Sequence, residues 1–222
     1  MLIAIEGIDG SGKGTQTALL SKRARGAGLH VETFSFPQYG TNPFAACVAQ
    51  YLNGVFGPAL SVPAHFSALL YAGDRFCARE QLLAAAGASD LVICDRYTDS
   101  NLAHQAAKLP PHDRASFIAW IESIEYGSYR LPRPDLTVLL DMPLPLAREL
   151  VRLKASRTYT SRTADIHEAD AGYLEACAEV YSYLAGRPGA PWVVIGCAID
   201  GQVRSEESIA EELWGAISPR LP

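Results

Sequence analysis

The chain has 222 residues, enough to bury a full core as one domain, and nothing in it resembles a long linker. Its net charge of -5 argues against a general nucleic-acid binder. The five cysteines have no metal-site spacing and sit among apolar neighbours, no segment is long enough to cross a bilayer, and the N-terminal apolar run is too short for a signal peptide; a soluble, cytoplasmic protein with reduced core cysteines is expected.

Leu2 to Glu6 reads as a short buried strand that runs straight into Gly7-Ile8-Asp9-Gly10-Ser11-Gly12-Lys13-Gly14-Thr15. Glycines at both ends let such a loop curl so that successive N–H groups face one anion, while Lys13 and the following helix N-terminus add positive charge. A plain glycine-rich turn with a surface lysine would need neither the strand before it nor the amphipathic run after it. Gly7, Asp9, Gly10, Ser11, Gly12, Lys13, Gly14 and Thr15 are therefore the expected nucleotide-binding set. The residue after the lysine, usually a Ser or Thr that helps hold Mg²⁺, is Gly14, with Thr15 one place later.

Thr15 to Ala27 carries apolar residues at helical spacing and stops near Gly26 and Gly28. His30 to Phe36 alternates as a strand; after Pro37, Gly40 and Pro43, the segments Phe44 to Leu52 and Ala64 to Ala86 read as helices. Leu91 to Asp95 is an apolar strand ending in an acid, Asp99 to Ala107 and Asp113 to Tyr126 look helical, and Leu136 to Asp141 repeats the acid-ended strand. Leu144 to Lys154 is helical again, and residues 155–164, rich in Ser, Thr and Arg, read as an exposed lid loop. Tyr173, Leu174, Cys177, Val180, Tyr181 and Leu184 mark one helix face, Trp192 to Cys197 a last strand, and Glu206 to Ile217 a closing amphipathic helix. Strands alternating with helices predict a doubly wound α/β fold, a parallel five-stranded sheet flanked by helices, in which ligands sit beyond the carboxyl ends of the strands. Residues 1–222 are expected to form a single domain.

Asp95-Arg96 follows one of those strands, where the carboxylate reaches Mg²⁺ or its waters and the guanidinium grips a phosphate, or where the two simply pair at a strand end. Asp141, followed by Met142-Pro143, reads as structural. Arg75 lies among apolar neighbours, so its charge must find a ligand or a local acid, with Asp74 or the neighbours of Arg79 as candidates. Phe36-Pro37 either stacks on a planar base or fills core space. The stretch with Arg148, Arg152, Lys154, Arg157 and Arg162 either closes over polyphosphate or forms a solvated face. His104 reads as a surface or partnered histidine, no His/Cys cluster has zinc spacing, and no serine nucleophile elbow appears. The second strand ends in Phe36-Pro37 with no general base, which a hydroxyl acceptor would need and an already anionic phosphate acceptor would not. The pattern points to a nucleoside monophosphate kinase.

Over nearly its whole length the chain resembles the thymidylate kinase family. The resemblance rests on Glu6-Gly7-Ile8-Asp9-Gly10-Ser11-Gly12-Lys13, Phe36-Pro37 with Tyr39, Asp74-Arg75, Asp95-Arg96-Tyr97 with Ser100-Asn101, and Pro134-Asp135. It implies a P-loop NTPase fold and Mg²⁺-dependent transfer of the ATP γ-phosphate to dTMP, with ATP and Mg²⁺ as cofactors and a homodimer as the assembly. Phe36, with Pro37 and Tyr39, would stack on thymine, Arg75 would bond the base, Arg96 would hold the acceptor phosphate, and Asn101 would lie near the base. Asp9 would lie near sugar and metal, Asp95 at the metal, and Asp165 and Glu168 at the lid's end, the former toward substrate and the latter toward metal. The lid would supply Arg157 or Arg162 to the transferring phosphate. Three places depart from the pattern: Gly14-Thr15-Gln16 looks more like an adenylate kinase loop, His104 replaces an aromatic residue against the deoxyribose, and Gln38 replaces an arginine. Another monophosphate kinase, or a nucleotide-binding protein without turnover, are the alternatives.

Overall fold

The structure is a computed structural model and describes residues 1–58, 61–153 and 171–221. Strands β1 (Leu2–Glu6), β2 (Val31–Ser35), β3 (Leu91–Asp95), β4 (Leu136–Asp141) and β5 (Trp192–Gly196) form one parallel sheet in the order β2-β3-β1-β4-β5. Helices α1 (Lys13–Gly26), α2 (Pro43–Leu52), α3 (Ala64–Cys77), α4 (Arg79–Ala88), α5 (Thr98–Ala106), α6 (Pro111–Glu122), α7 (Leu144–Leu153), α8 (Ala171–Ala185) and α9 (Glu206–Ile217) accompany it. The architecture is the expected doubly wound one.

Strand alternation divides the apolar side chains between two cores. Ile3, Ile5, Leu91 and Ile93 face the larger cluster with Leu20 of α1, Leu102 of α5, Tyr181 of α8 and Leu213 of α9. Leu2, Ala4, Val92 and Cys94 face a smaller one with Phe36, Leu82 and Tyr97. Ile5 pairs with Asp95 across the β1–β3 ladder, so the carboxyl ends of these two strands finish level. That register sets Glu6-Gly7 beside Asp95-Arg96.

Five sequence expectations need correction. The run from Ala64 to Ala86 is two helices that part at Ala78, where ψ is -3°. No breaker residue marks the point; α3 packs on α2 and α5, whereas α4 brings Leu82 to the smaller core, and one straight rod cannot serve both. Tyr126 is not in α6, because the last part of that run, Ser123–Ser128, widens into a π-helical turn. A hairpin of β6 (Ala198–Ile199) and β7 (Gln202–Val203) was missed, although its Asp200-Gly201 turn, at φ 51° and 75°, is a common hairpin pair. Cys77 is exposed rather than in the core, since it sits at the end of α3. Helix α1 also begins at Lys13, two residues before the expected start. The lid residues 155–164 lie outside the described residues. Among the described residues, no helix is long and apolar enough to cross a membrane.

Candidate active site

The loop joining β1 to α1 takes backbone angles that favour glycine, with φ of 145° at Gly7 and 86° at Gly10. A Cβ on Gly10 would lie 2.2 Å from the Ala147 carbonyl oxygen, so the loop presses directly on α7 and only glycine fits. Lys13 is buried, and its Nζ donates to the carbonyls of Gly7 at 3.0 Å and Ile8 at 2.8 Å and to Ser11 Oγ at 3.4 Å. Burial, and after it the Arg96 charge, lowers its pKa to about 8. Helix α1 has no acid in its first turn, which leaves its positive end uncompensated for an incoming anion.

Arg96 follows β3 with φ 63°, and its N–H still donates to Ile5 O at 3.0 Å. This left-handed turn aims the guanidinium back across β1, where it forms an ion pair with Asp9 and donates to Gly7 O at 3.3 Å and Ser100 Oγ at 3.1 Å. Lys13 and Arg96 therefore share the Gly7 carbonyl as acceptor, which sets the two cations side by side at the loop. Burial disfavours the Arg96 charge, but Asp9 and other anionic neighbours outweigh it and hold its pKa well above the ordinary value. Asp95 is half-buried, and its Oδ2 would lie 3.4 Å from a Cβ on Gly14.

Glu6 holds this turn in place. Its buried carboxylate accepts from the Tyr97 and Ser100 amides at 2.7 and 3.1 Å, Ser100 Oγ at 2.5 Å and Tyr181 Oη at 3.0 Å. Strand β1, the start of α5 and helix α8 are thus tied to one side chain.

Farther along the crevice, Phe36 is buried and its ring packs near Phe34 and Tyr97, at centroid distances of 6.5 and 6.0 Å. Asp74 accepts from the Gln38 amide at 3.0 Å and Asn42 Nδ2 at 2.7 Å, which anchors the segment containing Pro37 and Tyr39. Arg75 makes a bidentate ion pair through Nε and Nη2 with Glu125, an acid fifty residues on rather than Asp74 or a neighbour of Arg79. Asn101 Nδ2 donates to Glu125 Oε1 at 2.8 Å and to Ala68 O at 3.0 Å. Its buried Oδ1 has no partner among the described residues.

His104 lies in the same helix as Asn101, with Nε2 3.4 Å from Arg96 Nη1 and Nδ1 3.2 Å from Tyr173 Oη. A guanidinium only donates, so Nε2 accepts and the ring proton sits on Nδ1. Burial, then the Arg96 charge, drops its pKa to about 3, and the ring is neutral. Arg157, Arg162, Asp165 and Glu168 lie outside the described residues.

The glycine loop and Arg96 thus stand together at the ends of adjacent parallel strands, and a comparison of the chain with known families says which family carries this arrangement. The family model described as thymidylate kinase matches residues 5–187. The chain belongs to the thymidylate kinase family. A thymidylate kinase of Mycobacterium tuberculosis is 39% identical over 201 residues, covering 90% of this chain and 93% of that protein. Relatives carrying the same name in Rhodopseudomonas palustris and Deinococcus radiodurans are 32% and 30% identical, each match covering 99% of this chain and 89% and 97% of those proteins.

As a member of the thymidylate kinase family, the chain is an ATP-dependent nucleoside monophosphate kinase. Its sequence left several parts of the crevice unread. Glu125 gave no signal, because it sits in a run read as plain helix and reaches Arg75 from the π-helical turn. Tyr173 and Tyr181 read as apolar face markers, and nothing in that pattern shows that their hydroxyls bond His104 and Glu6.

Proposed function

We propose that this chain transfers the γ-phosphate of ATP to dTMP, giving dTDP and ADP, as one catalytic domain working in the cytoplasm as a homodimer. The reading is carried by the pair formed by Asn101 Oδ1 and the Arg75 guanidinium. Both side chains lean on Glu125 Oε1, so they are neighbours, and they offer one unmet acceptor beside a cationic donor. Thymine presents the complement, a donor at N3–H beside an acceptor at O4. Cytosine and adenine present an acceptor ring nitrogen beside an amino donor, and would set acceptor on acceptor and donor on donor. Phe36 supplies the apolar face for the ring, with Pro37 and Tyr39 closing that side.

The acceptor phosphate of dTMP is already anionic near neutral pH, so the protein's task is alignment and charge neutralisation. Lys13 and the loop amides hold the donor tail, and Arg96 exchanges its Asp9 contact for the acceptor phosphate. Arg157 or Arg162 of the lid segment 155–164 would complete the charge, with Asp165 and Glu168 following at its end. Among the described residues no three metal-ligating side chains cluster, which suits Mg²⁺, an ion that needs one or two carboxylates and takes its remaining ligands from phosphate and water. Asp95 and Asp9 are hard oxygen donors at the mouth of the loop and would hold that ion, which neutralises charge on the polyphosphate.

A coupled assay of ADP formation across nucleoside monophosphates tests the reading. Turnover is expected with dTMP and dUMP and far less with dCMP or AMP. Turnover with AMP or CMP but none with dTMP would refute the base assignment, and ATP binding with no turnover on any acceptor would leave a nucleotide-binding protein without transfer.

A further inference from the structure

Glu125 does no chemistry in the transfer, yet it is fully buried at the centre of the base-reading pair. Its carboxylate takes four donors: Arg75 Nε at 2.8 Å, Arg75 Nη2, Asn101 Nδ2 at 2.8 Å and, more distantly, Thr98 Oγ1 at 3.4 Å. The residue arrives there from a π-helical turn, closed by the Tyr129 amide on Ile124 O at 2.8 Å, a feature that enlarges one turn and re-aims the side chains on it. An ionised carboxylate accepts and never donates. Asn101 must therefore turn its amino group toward Glu125 and the Ala68 carbonyl, for the flipped amide would set its oxygen against two acceptors at 2.8 and 3.0 Å.

We propose that Glu125 is the positioning residue that sets base specificity: by accepting from both Arg75 and Asn101, it locks the Asn101 amide with its oxygen toward the base and keeps N3-unprotonated bases out. This rests on the reading that Asn101 and Arg75 face the base. Glutamine at 125 matches the shape but carries its own amino group; set at the Oε1 position, that group faces Arg75 Nη2 and Asn101 Nδ2 and leaves only the Ala68 carbonyl to hold the Asn101 amide, whose flipped donor then meets the N3 acceptor of cytosine.

The test is kcat/KM for dTMP and dCMP in wild type and Glu125→Gln, each checked for thermal melting. The variant should lose several-fold on dTMP and gain roughly tenfold on dCMP, the scale of one hydrogen bond to a charged group. A loosened fold would lower both values, so the gain on dCMP is the diagnostic reading, and its absence in a folded variant overturns the proposal. Should the variant not fold, the wild-type enzyme decides. With a 5-fluorinated dUMP, whose N3–H ionises within the assay range, KM relative to dTMP should climb as the ring loses its proton, because a locked amide has no donor for the anion. A level ratio would overturn the lock. Failure of the base reading itself looks different: wild type would then show no preference for dTMP over dCMP.

Discussion

On the proposed function, Arg96 is where one residue links the two ends of the reaction. Its guanidinium bonds the Gly7 carbonyl that also takes Lys13, and pairs with Asp9, so removing it strips the acceptor side while leaving the main-chain cradle whole. Arg96→Ala should lower kcat/KM for the acceptor by several orders of magnitude and leave the calorimetric affinity for ATP within a few-fold; lost ATP binding would place Arg96 in the donor cradle instead. Lys13 carries a second prediction. Its free-enzyme pKa of about 8, against an ordinary 10.5, means that between those values the native side chain is largely neutral while that of an unfolded chain is protonated. Stability linked to this group therefore rises with pH through that window. Polyphosphate needs the ammonium, so ATP binding near pH 9 should take up close to one proton, and uptake should vanish near pH 6.5. Titration calorimetry in buffers of different ionisation enthalpy measures it, and equal enthalpies in all buffers near pH 9 would contradict it.

The elements that build the site are those with a local irregularity. The phosphate loop turns through Gly7 and Gly10 under the α7 carbonyl of Ala147, β3 ends in the left-handed Arg96, and α6 ends in the π-helical turn that delivers Glu125. Each costs something locally and each is held by a tertiary partner: Glu6 for the turn after β3, Arg75 for Glu125. Sequence periodicity reports regular elements, so it found the strands and the loop and passed over the π-helical turn and the break at Ala78. Helix α5 shows the gain from this arrangement, since Ser100, Asn101 and His104 project from it toward Glu6, Glu125 and Arg96 in turn.

At the scale of the whole molecule, the two cores hold the sheet from both faces and leave the carboxyl ends of β1 and β3 open between them. Phe66 is 65% exposed on α3, while Leu69 and Leu70 beside it are half-buried. That helix also carries Arg75, so a partner on its outer face would stiffen the base-reading side. The chain should sediment as a dimer, and Phe66→Glu should shift it to monomer at micromolar concentration; a monomeric wild type in the ultracentrifuge would make Phe66 an isolated surface residue.

From the sequence by itself came the fold class and the strand ends that place the glycine loop beside Arg96, because these depend on neighbours within a few positions: apolar runs, glycine spacing and an acid-arginine pair after a strand. The tertiary structure alone decided which acid neutralises Arg75, which way the Asn101 amide turns and that His104 is neutral. Those outcomes depend on burial and on partners distant in the chain, 69 positions apart for His104 and Tyr173, and desolvation has no signature in the order of residues.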